Sequence, residues 1–377
     1  MTIRLYRSHE IKDCQWPKNE ESHFIQKTFI PLLEHGISRY IDNVHTDLGI
    51  LIAGECVFPI TINSSEYENS YVCSPYSYYI SYAQESLHAI ATPFMQKTLR
   101  GILWGASKIL RHCQFNQVVV VNNWFTSTTL YPPIEGATLQ KIISFLQKEF
   151  PHHTILFRSI DPHMSTFYYT QLQTMGFEYV ASRQVFFIDP HQSTLFESRL
   201  FKSDVKLLRN SGYEIIEREQ LLQEDMARLA DLYKQVFIDK YSRLNPMWNQ
   251  NYVRLALSDE LLHFKGLKKN GRVDGIVGYV IRHGKMFCSL FGYDQTISQE
   301  TGLYRLLSTV LMLNAHEKKV RFHLSSGASM FKKIRKAEEC IEYTAVFHKH
   351  LPFKRRIPWV ILKKLCNSLG KKYMKKY

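Results

Sequence analysis

Several stretches of this 377-residue chain put polar or charged side chains where a protein can do chemistry. The apolar run Met286–Leu290 predicts a strand; after a polar loop, Gly302 opens an apolar-periodic helix that runs to about His316. A strand feeding a helix start aims free backbone N–H groups and the positive end of the helix dipole at one point, a device for holding an anion. Lys332 follows Phe331 at the start of a second, short basic helix. A cation there is unfavourable unless it meets an anion, which points to a phosphate of a donor or substrate. Asn122, Asn123 and Trp124 come directly after the four valines Val118–Val121, which read as a strand buried on both faces. Polar residues at such a strand end are a common ligand position in open α/β sheets, so these three are candidate substrate-binding residues.

Other chemistries leave no trace. The sequence contains no His-Glu-x-x-His, no phosphate-binding Gly-x-x-x-x-Gly-Lys-Ser/Thr and no Gly-x-Ser-x-Gly. His152-His153 lacks partners at metal-ligand spacing, so no metal site is expected. Seven cysteines, scattered and without a Cys-x-x-Cys pair, are the usage of reduced thiols in a cytoplasmic protein.

The elements that would position these residues alternate along the chain. Leu48–Asn63 reads as two strands, Tyr71–Ser74 as a short one, and Tyr78–Cys113 as two helices meeting near Pro93. A helix opens at Glu135-Gly136-Ala137-Thr138 and runs to about Phe150. A strand over Thr154–Ser159, a helix over Ser165–Thr174 and strands over Phe177–Asp189 follow. Asp189–Asn210 is polar and lacks a sustained strand pattern, which places a domain boundary near residue 200. The second half restarts with a strand (Tyr213–Arg218), helices over Gln223–Tyr241 and Trp248–Leu257, and a hairpin around Asn270-Gly271, a strong turn signal. Strands over Val320–Ser325 and Cys340–Phe347 flank the short helix Ser329–Lys336.

Strand, two helices, meander, strand, loop, helix, strand, helix, strand: this order resembles the GNAT acyltransferase superfamily, and both halves share it at their ends. Phe167, Tyr168, Gly176 and Phe177 match that superfamily's late helix and turn. Ser326–Arg335 resembles the Gly-x-x-x-Phe-Lys segment of Fem-type and related two-domain acyltransferases. The resemblance covers roughly residues 47–350. It implies a mixed α/β (α+β) chain of two GNAT-like domains, 1–200 and 201–353, with a tail over 354–377. The first domain would be degenerate or substrate-binding, and the second would carry the donor.

The implied activity is an N-acyltransferase, moving an acyl group other than an aminoacyl group from acyl-CoA or another thioester to an amine by direct attack. On this reading Gly302, Leu303 and Lys332, with Gly136 and Ala137 in the first domain, are the cofactor-binding positions. Asp294 and Tyr293 stand where the superfamily often carries its base. Tyr304 or Ser325 could supply the acid, and Tyr241 lies in a loop that often covers acceptor sites. Acyl-CoA would be a co-substrate, with no tightly bound cofactor. Glu300 and Tyr304 depart from the usual Arg/Gln-x-x-Gly-x-Gly/Ala loop, which leaves room for an acyl carrier or aminoacyl-tRNA as donor. A Fem-like aminoacyl-tRNA transferase and a non-catalytic binding protein on the same scaffold are the alternatives.

Net charge is +14, and residues 354–377 contribute nine Lys/Arg and no acid. From Trp359 apolar residues interleave with lysines, the pattern of a basic amphipathic helix. It suits an anionic membrane, an acidic acyl carrier or, less well, nucleic acid; it equally suits a packed helix with solvated lysines. No window approaches the ~20 apolar residues of a membrane span, so the expected place is the cytoplasm, with peripheral membrane contact through the tail.

Overall fold

A computed structural model describes residues 2–85 and 93–370. In chain order the elements are β1 (Ile3–Arg7), α1 (Glu20–His35), β2 (Asp47–Ala53), β3 (Cys56–Asn63), α2 (Pro93–His112), β4 (Val118–Val121), α3 (Gly136–Glu149), β5 (Thr154–Ile160), α4 (Thr166–Thr174) and β6 (Glu178–Ile188). There follow α5 (Arg199–Asn210), β7 (Glu214–Glu217), α6 (Asp225–Lys234), α7 (Gln250–Ser258), β8 (His263–Lys269), β9 (Arg272–Arg282) and β10 (Lys285–Tyr293). The last are α8 (Leu303–Glu317), β11 (Arg321–His323), α9 (Ser329–Ile334), β12 (Glu338–Phe347) and α10 (Phe353–Leu365).

The chain divides into two units. The first comprises Met1–Ser182, Ser242–Pro246 and Glu342–Tyr373; the second includes Arg183–Tyr241 and Met247–Ile341. The boundary therefore falls inside β6 and β12, not near residue 200, and the C-terminal helix belongs to the first unit. A polar linker pattern misplaced that boundary because Arg199–Asn210 is a helix, turning Phe201 and Leu208 into the second unit's core.

Within the first unit the strand order is β1-β2-β3-β4-β5-β12-β6. β4 and β5 run parallel, while β5 pairs antiparallel with β12. All four residues of β4 are buried, as expected of a strand covered on both faces. One side of the unit packs Ile142, Ile143 and Leu146 of α3 against Ile155 and Phe157 of β5. The other gathers Phe115, Val118, Leu156 and Trp359. Tyr71–Cys73 form turns, not a strand, because Asn69 and Ser70 tie the backbone into loops: Tyr71 N donates to Leu244 O at 3.0 Å and Ser70 Oγ to the same oxygen at 2.8 Å. The expected meeting of two helices near Pro93 lies partly outside the described residues; α2 does begin at Pro93.

The second unit orders its strands β6-β11-β10-β9-β8-β7. Asn270 and Gly271 both hold positive φ, 51° and 78°, as a tight two-residue hairpin between β8 and β9 requires. α8 packs its Leu306, Leu307, Val310 and Leu311 into this unit's core. Gly292 is a glycine for contact reasons: a Cβ there would lie 2.4 Å from the carbonyl carbon of Leu232, so α6 passes β10 backbone to backbone.

Candidate functional site

The second unit builds a site where two parallel strands part. β10 and β11 pair in parallel only through Lys285–Arg321, Met286–Phe322 and Phe287–His323. β10 continues to Tyr293, with a register shift between Cys288 and Leu290 against β9, while β11 stops at His323. The expected strand over Val320–Ser325 is shortened because Ser325 takes φ 60°, with its N–H donating to His323 Nδ1 at 3.0 Å. Each strand then feeds a loop and a helix start, the arrangement in which open α/β sheets bind ligands at strand carboxyl ends.

Gly302 caps α8 in the left-handed region, φ 71°. A side chain there would be strained by that φ, although a Cβ would find space, its nearest neighbours being Leu207 and Arg305 atoms at 3.8 and 3.9 Å. The first intrahelical bond is Leu306 N to Gly302 O at 2.9 Å. The N–H groups of Leu303, Tyr304 and Arg305 thus precede the helix's own bonding. Leu303 itself points its side chain into the core. Tyr304 lies in an aromatic cluster, 5.5 Å from Phe291, 6.4 Å from Tyr293 and 5.0 Å from Phe331 by ring centroids. Burial pushes its phenol well above the ordinary tyrosine range, so it stays protonated. Tyr293 accepts a hydrogen bond from Lys240 Nζ at 3.1 Å. Tyr241 closes a π-helical turn, Gln235–Tyr241, that continues α6, and its ring lies 6.3 Å from Phe237.

Asp294, the expected base, is held ionised and paired. Burial raises its pKa, but hydrogen bonds from Thr296 and Arg228 and the Arg228 charge outweigh that and hold it at about 2. Its Oδ2 lies 2.6 Å from Arg228 Nη2, and its Oδ1 accepts from Thr296 N and Oγ1 at 2.8 and 2.6 Å. It anchors the strand end to α6. Lys332, the expected phosphate contact, is bonded to its own loop. Only 4% exposed, its ammonium donates to the carbonyls of Ser325 and Ser326 at 3.2 and 2.8 Å and lies 5.3 Å from the Phe186 ring. Burial, then the Arg183 charge, lowers its pKa to about 7. Its work is to hold the loop in which Ser325, Gly327 and Ala328 all take positive φ. Ser325 Oγ accepts from Arg183 Nη1 at 3.2 Å and its carbonyl from Phe186 N, so it is part of that scaffold.

The group that sequence reasoning missed is Asp204 on α5. It is fully buried and binds two arginines. Arg335, 3% exposed, donates Nε to Oδ2 at 2.9 Å and Nη2 to Oδ1 at 3.0 Å. Arg305, in the first turn of α8, donates Nε to Oδ1 at 2.6 Å and keeps a side chain 34% exposed. Two cations on one acid leave one positive charge in excess beside a helix N-terminus. The Arg335 guanidinium also lies over Phe331, 3.4 Å from its centroid. No local motif marks Asp204; the only sequence signal was an acid inside an amphipathic stretch.

The first unit's candidates are placed elsewhere. Asn122 and Asn123 are buried and spent on their own loop. Asn122 Nδ2 donates to Leu130 O at 3.1 Å and its Oδ1 accepts from Trp124 Nε1 at 2.7 Å. Asn123 Nδ2 donates to Thr61 Oγ1 and Val72 O, both at 2.9 Å. Trp124 packs on Phe29 at 5.0 Å and Phe24 at 5.4 Å. These bonds and ring contacts brace the first unit's core. Gly136 and Ala137 do start α3, but a Cβ on Gly136 would lie 2.9 Å from Gln171 Oε1, so a neighbouring side chain already occupies the space in front of that glycine. Among the described residues no group of three or more His, Cys, Asp or Glu could hold a metal ion, and no helix is long and apolar enough to cross a membrane.

In structure the chain is similar to GNAT-fold proteins. FemX matches with a TM-score of 0.46 at 9% identity, over 60% of this chain and 80% of that one. L-PGS from Bacillus licheniformis matches with a TM-score of 0.45 at 13% identity, over 60% and 78%. A probable N-acyltransferase from Enterococcus faecalis V583 matches over 92% of this chain and 72% of its own, with a TM-score of 0.33 at 11% identity. No protein-family model and no curated protein matches the sequence. The chain itself is mixed α/β.

Proposed function

We propose that the protein is an N-acyltransferase whose donor binds in the second unit, where β10 and β11 part. The amine nitrogen attacks the thioester carbonyl carbon. The new C–N bond forms, the C–S bond breaks, the amine passes its proton to solvent water, and the sulfur leaves as a thiolate that takes one. Tyr304, held protonated by burial, is the candidate donor of that last proton. The N–H groups of Leu303, Tyr304 and Arg305 and the excess charge of the Arg305–Asp204–Arg335 cluster suit an anionic donor, with the aromatic rings beside them suiting an apolar acyl chain or a stacked base.

The observation that carries the reading is Arg305: a cation fixed by a buried acid in the first turn of the helix that opens at the strand gap. Titration calorimetry with CoA, acetyl-CoA and a long-chain acyl-CoA tests it. Binding is expected, weakened about tenfold or more by Arg305→Ala, since a charge-assisted hydrogen bond contributes ~1.5–3 kcal/mol. Tyr304→Phe should bind donor normally and slow turnover. Absence of binding by any CoA species, with salt-sensitive binding of aminoacyl-tRNA, would replace the thioester donor with a Fem-like one.

A further inference from the structure

The C-terminal helix is neither a free tail nor fully absorbed by the fold. α10 is fixed to the first unit along one side. Trp359 is buried, its ring 4.3 Å from Phe115 and its Nε1 donating to Thr154 Oγ1 at 3.2 Å. Arg355 donates Nη1 to Gln117 Oε1 at 2.5 Å and to His152 O at 3.0 Å, and Nη2 to Gln114 O at 3.2 Å. Beyond the helix, Asn367 accepts from Ala181 N and donates to Tyr179 O, both at 2.8 Å. These contacts set which side of the helix faces the first unit's core and which faces away from it.

That other side is apolar. Phe353 is 76% exposed, and Ile357, Val360, Ile361 and Leu365 are exposed along the same face at helical spacing. α2 packs Leu103 and Leu110 on the same buried cluster that receives Trp359 and Leu362. It too turns large apolar side chains to solvent: Trp104, 64% exposed, with Ile102 and Ile109. A soluble protein seldom leaves so many large apolar groups together without a partner.

Charge selects the partner. The sequences of α2 and α10 contain no Asp or Glu. Lys97, Arg100, Lys108 and Arg111 are exposed on α2, and Lys354 and Lys364 on α10. One α10 cation is committed: Lys363 Nζ lies 3.2 Å from Glu178. Exposed apolar side chains that include Trp and Phe, interleaved with Lys and Arg and with no acid on either helix, are the composition of helices that lie in the interface of an anionic bilayer. On α10 five large apolar side chains are exposed with Lys354 and Lys364 lying among them, more apolar surface than a phosphate-binding face has use for.

We propose that the outer faces of α2 and α10 together form a docking surface for an anionic lipid bilayer, seating the first unit on the membrane. The test is flotation of the full-length protein with vesicles of phosphatidylcholine alone or of phosphatidylcholine with phosphatidylglycerol. Binding is expected only to the anionic vesicles, lowered about tenfold or more by Ile361→Glu and by Trp104→Glu, and by the charge reversal Lys354→Glu/Lys364→Glu, with circular dichroism melts unchanged because all four side chains are exposed. A variant with Lys371, Lys372, Lys375 and Lys376 changed to serine separates the face from the lysines beyond it. The proposal fails if anionic vesicles do not bind, or if that serine variant abolishes binding while Ile361→Glu leaves it intact. It fails equally if the face instead drives self-association in the absence of lipid, or if tRNA binds and vesicles do not.

Discussion

Asp204→Asn should cost the second unit ~3–5 kcal/mol, because it removes the acid that neutralises the buried Arg335. Asp204 is fully buried and holds Arg335, itself 3% exposed, with two hydrogen bonds of 2.9 and 3.0 Å. Asparagine preserves the shape but supplies one oxygen and no charge. Arg335 then stays desolvated with its charge uncompensated, since its remaining recorded partners are the Phe331 carbonyl at 3.0 Å and the Phe331 ring. Arg305 suffers less, for its partly exposed side chain can turn into water. The loss is therefore that of one broken buried pair, not two. Urea unfolding measures it, with hydrogen exchange of α5, α8 and α9 amides locating it. Replacing both partners, Asp204→Leu with Arg335→Met, should recover more than half, as apolar groups of similar volume need no counter-charge. A loss below ~1 kcal/mol, or a double variant as unstable as the single one, would refute the claim that this acid is there to neutralise buried charge.

Two further outcomes follow from burial in the second unit. Lys332 has its pKa lowered from 10.5 to about 7, so the unfolded chain binds a proton there that the folded chain gives up between those values. Its burial penalty is in full force below pH 7 and is relieved as pH rises from 7 towards 10.5, so stability should climb between pH 7 and 9. Lys332→Met should flatten that slope in urea titrations; an unchanged slope would assign it to other groups. Gly292→Ala should destabilise by ~1–3 kcal/mol, because its Cβ would meet the Leu232 and Tyr233 backbone at 2.4–2.6 Å, where no side-chain rotation relieves it. Gly101→Ala on α2, with nothing within 4 Å of the added carbon, should instead stabilise by ~0.5–1 kcal/mol, which shows in the midpoint of the same unfolding curve.

Much of the scaffold was legible because it obeys local rules. The four valines of β4, the Asn270-Gly271 turn and the glycine that opens α8 each state their structure within a few residues. What stayed hidden depends on partners far along the chain. Asp204 meets Arg305 and Arg335, residues over a hundred positions away, and the polar stretch around it reads as a linker until those arginines are in place. Polar side chains elsewhere depend on distant partners in the same way. Asn122, Asn123 and Asp294 sit at strand ends, where ligands are met, yet the fold spends each on its own loops and ion pairs. A strand end identifies a place where chemistry is possible; only the count of partners already satisfied tells which side chain there remains free to do it. In the first turn of α8, Arg305 keeps a third of its side chain exposed while bonded to Asp204 and Ser203, whereas Lys332, the cation the sequence displays most openly, is only 4% exposed.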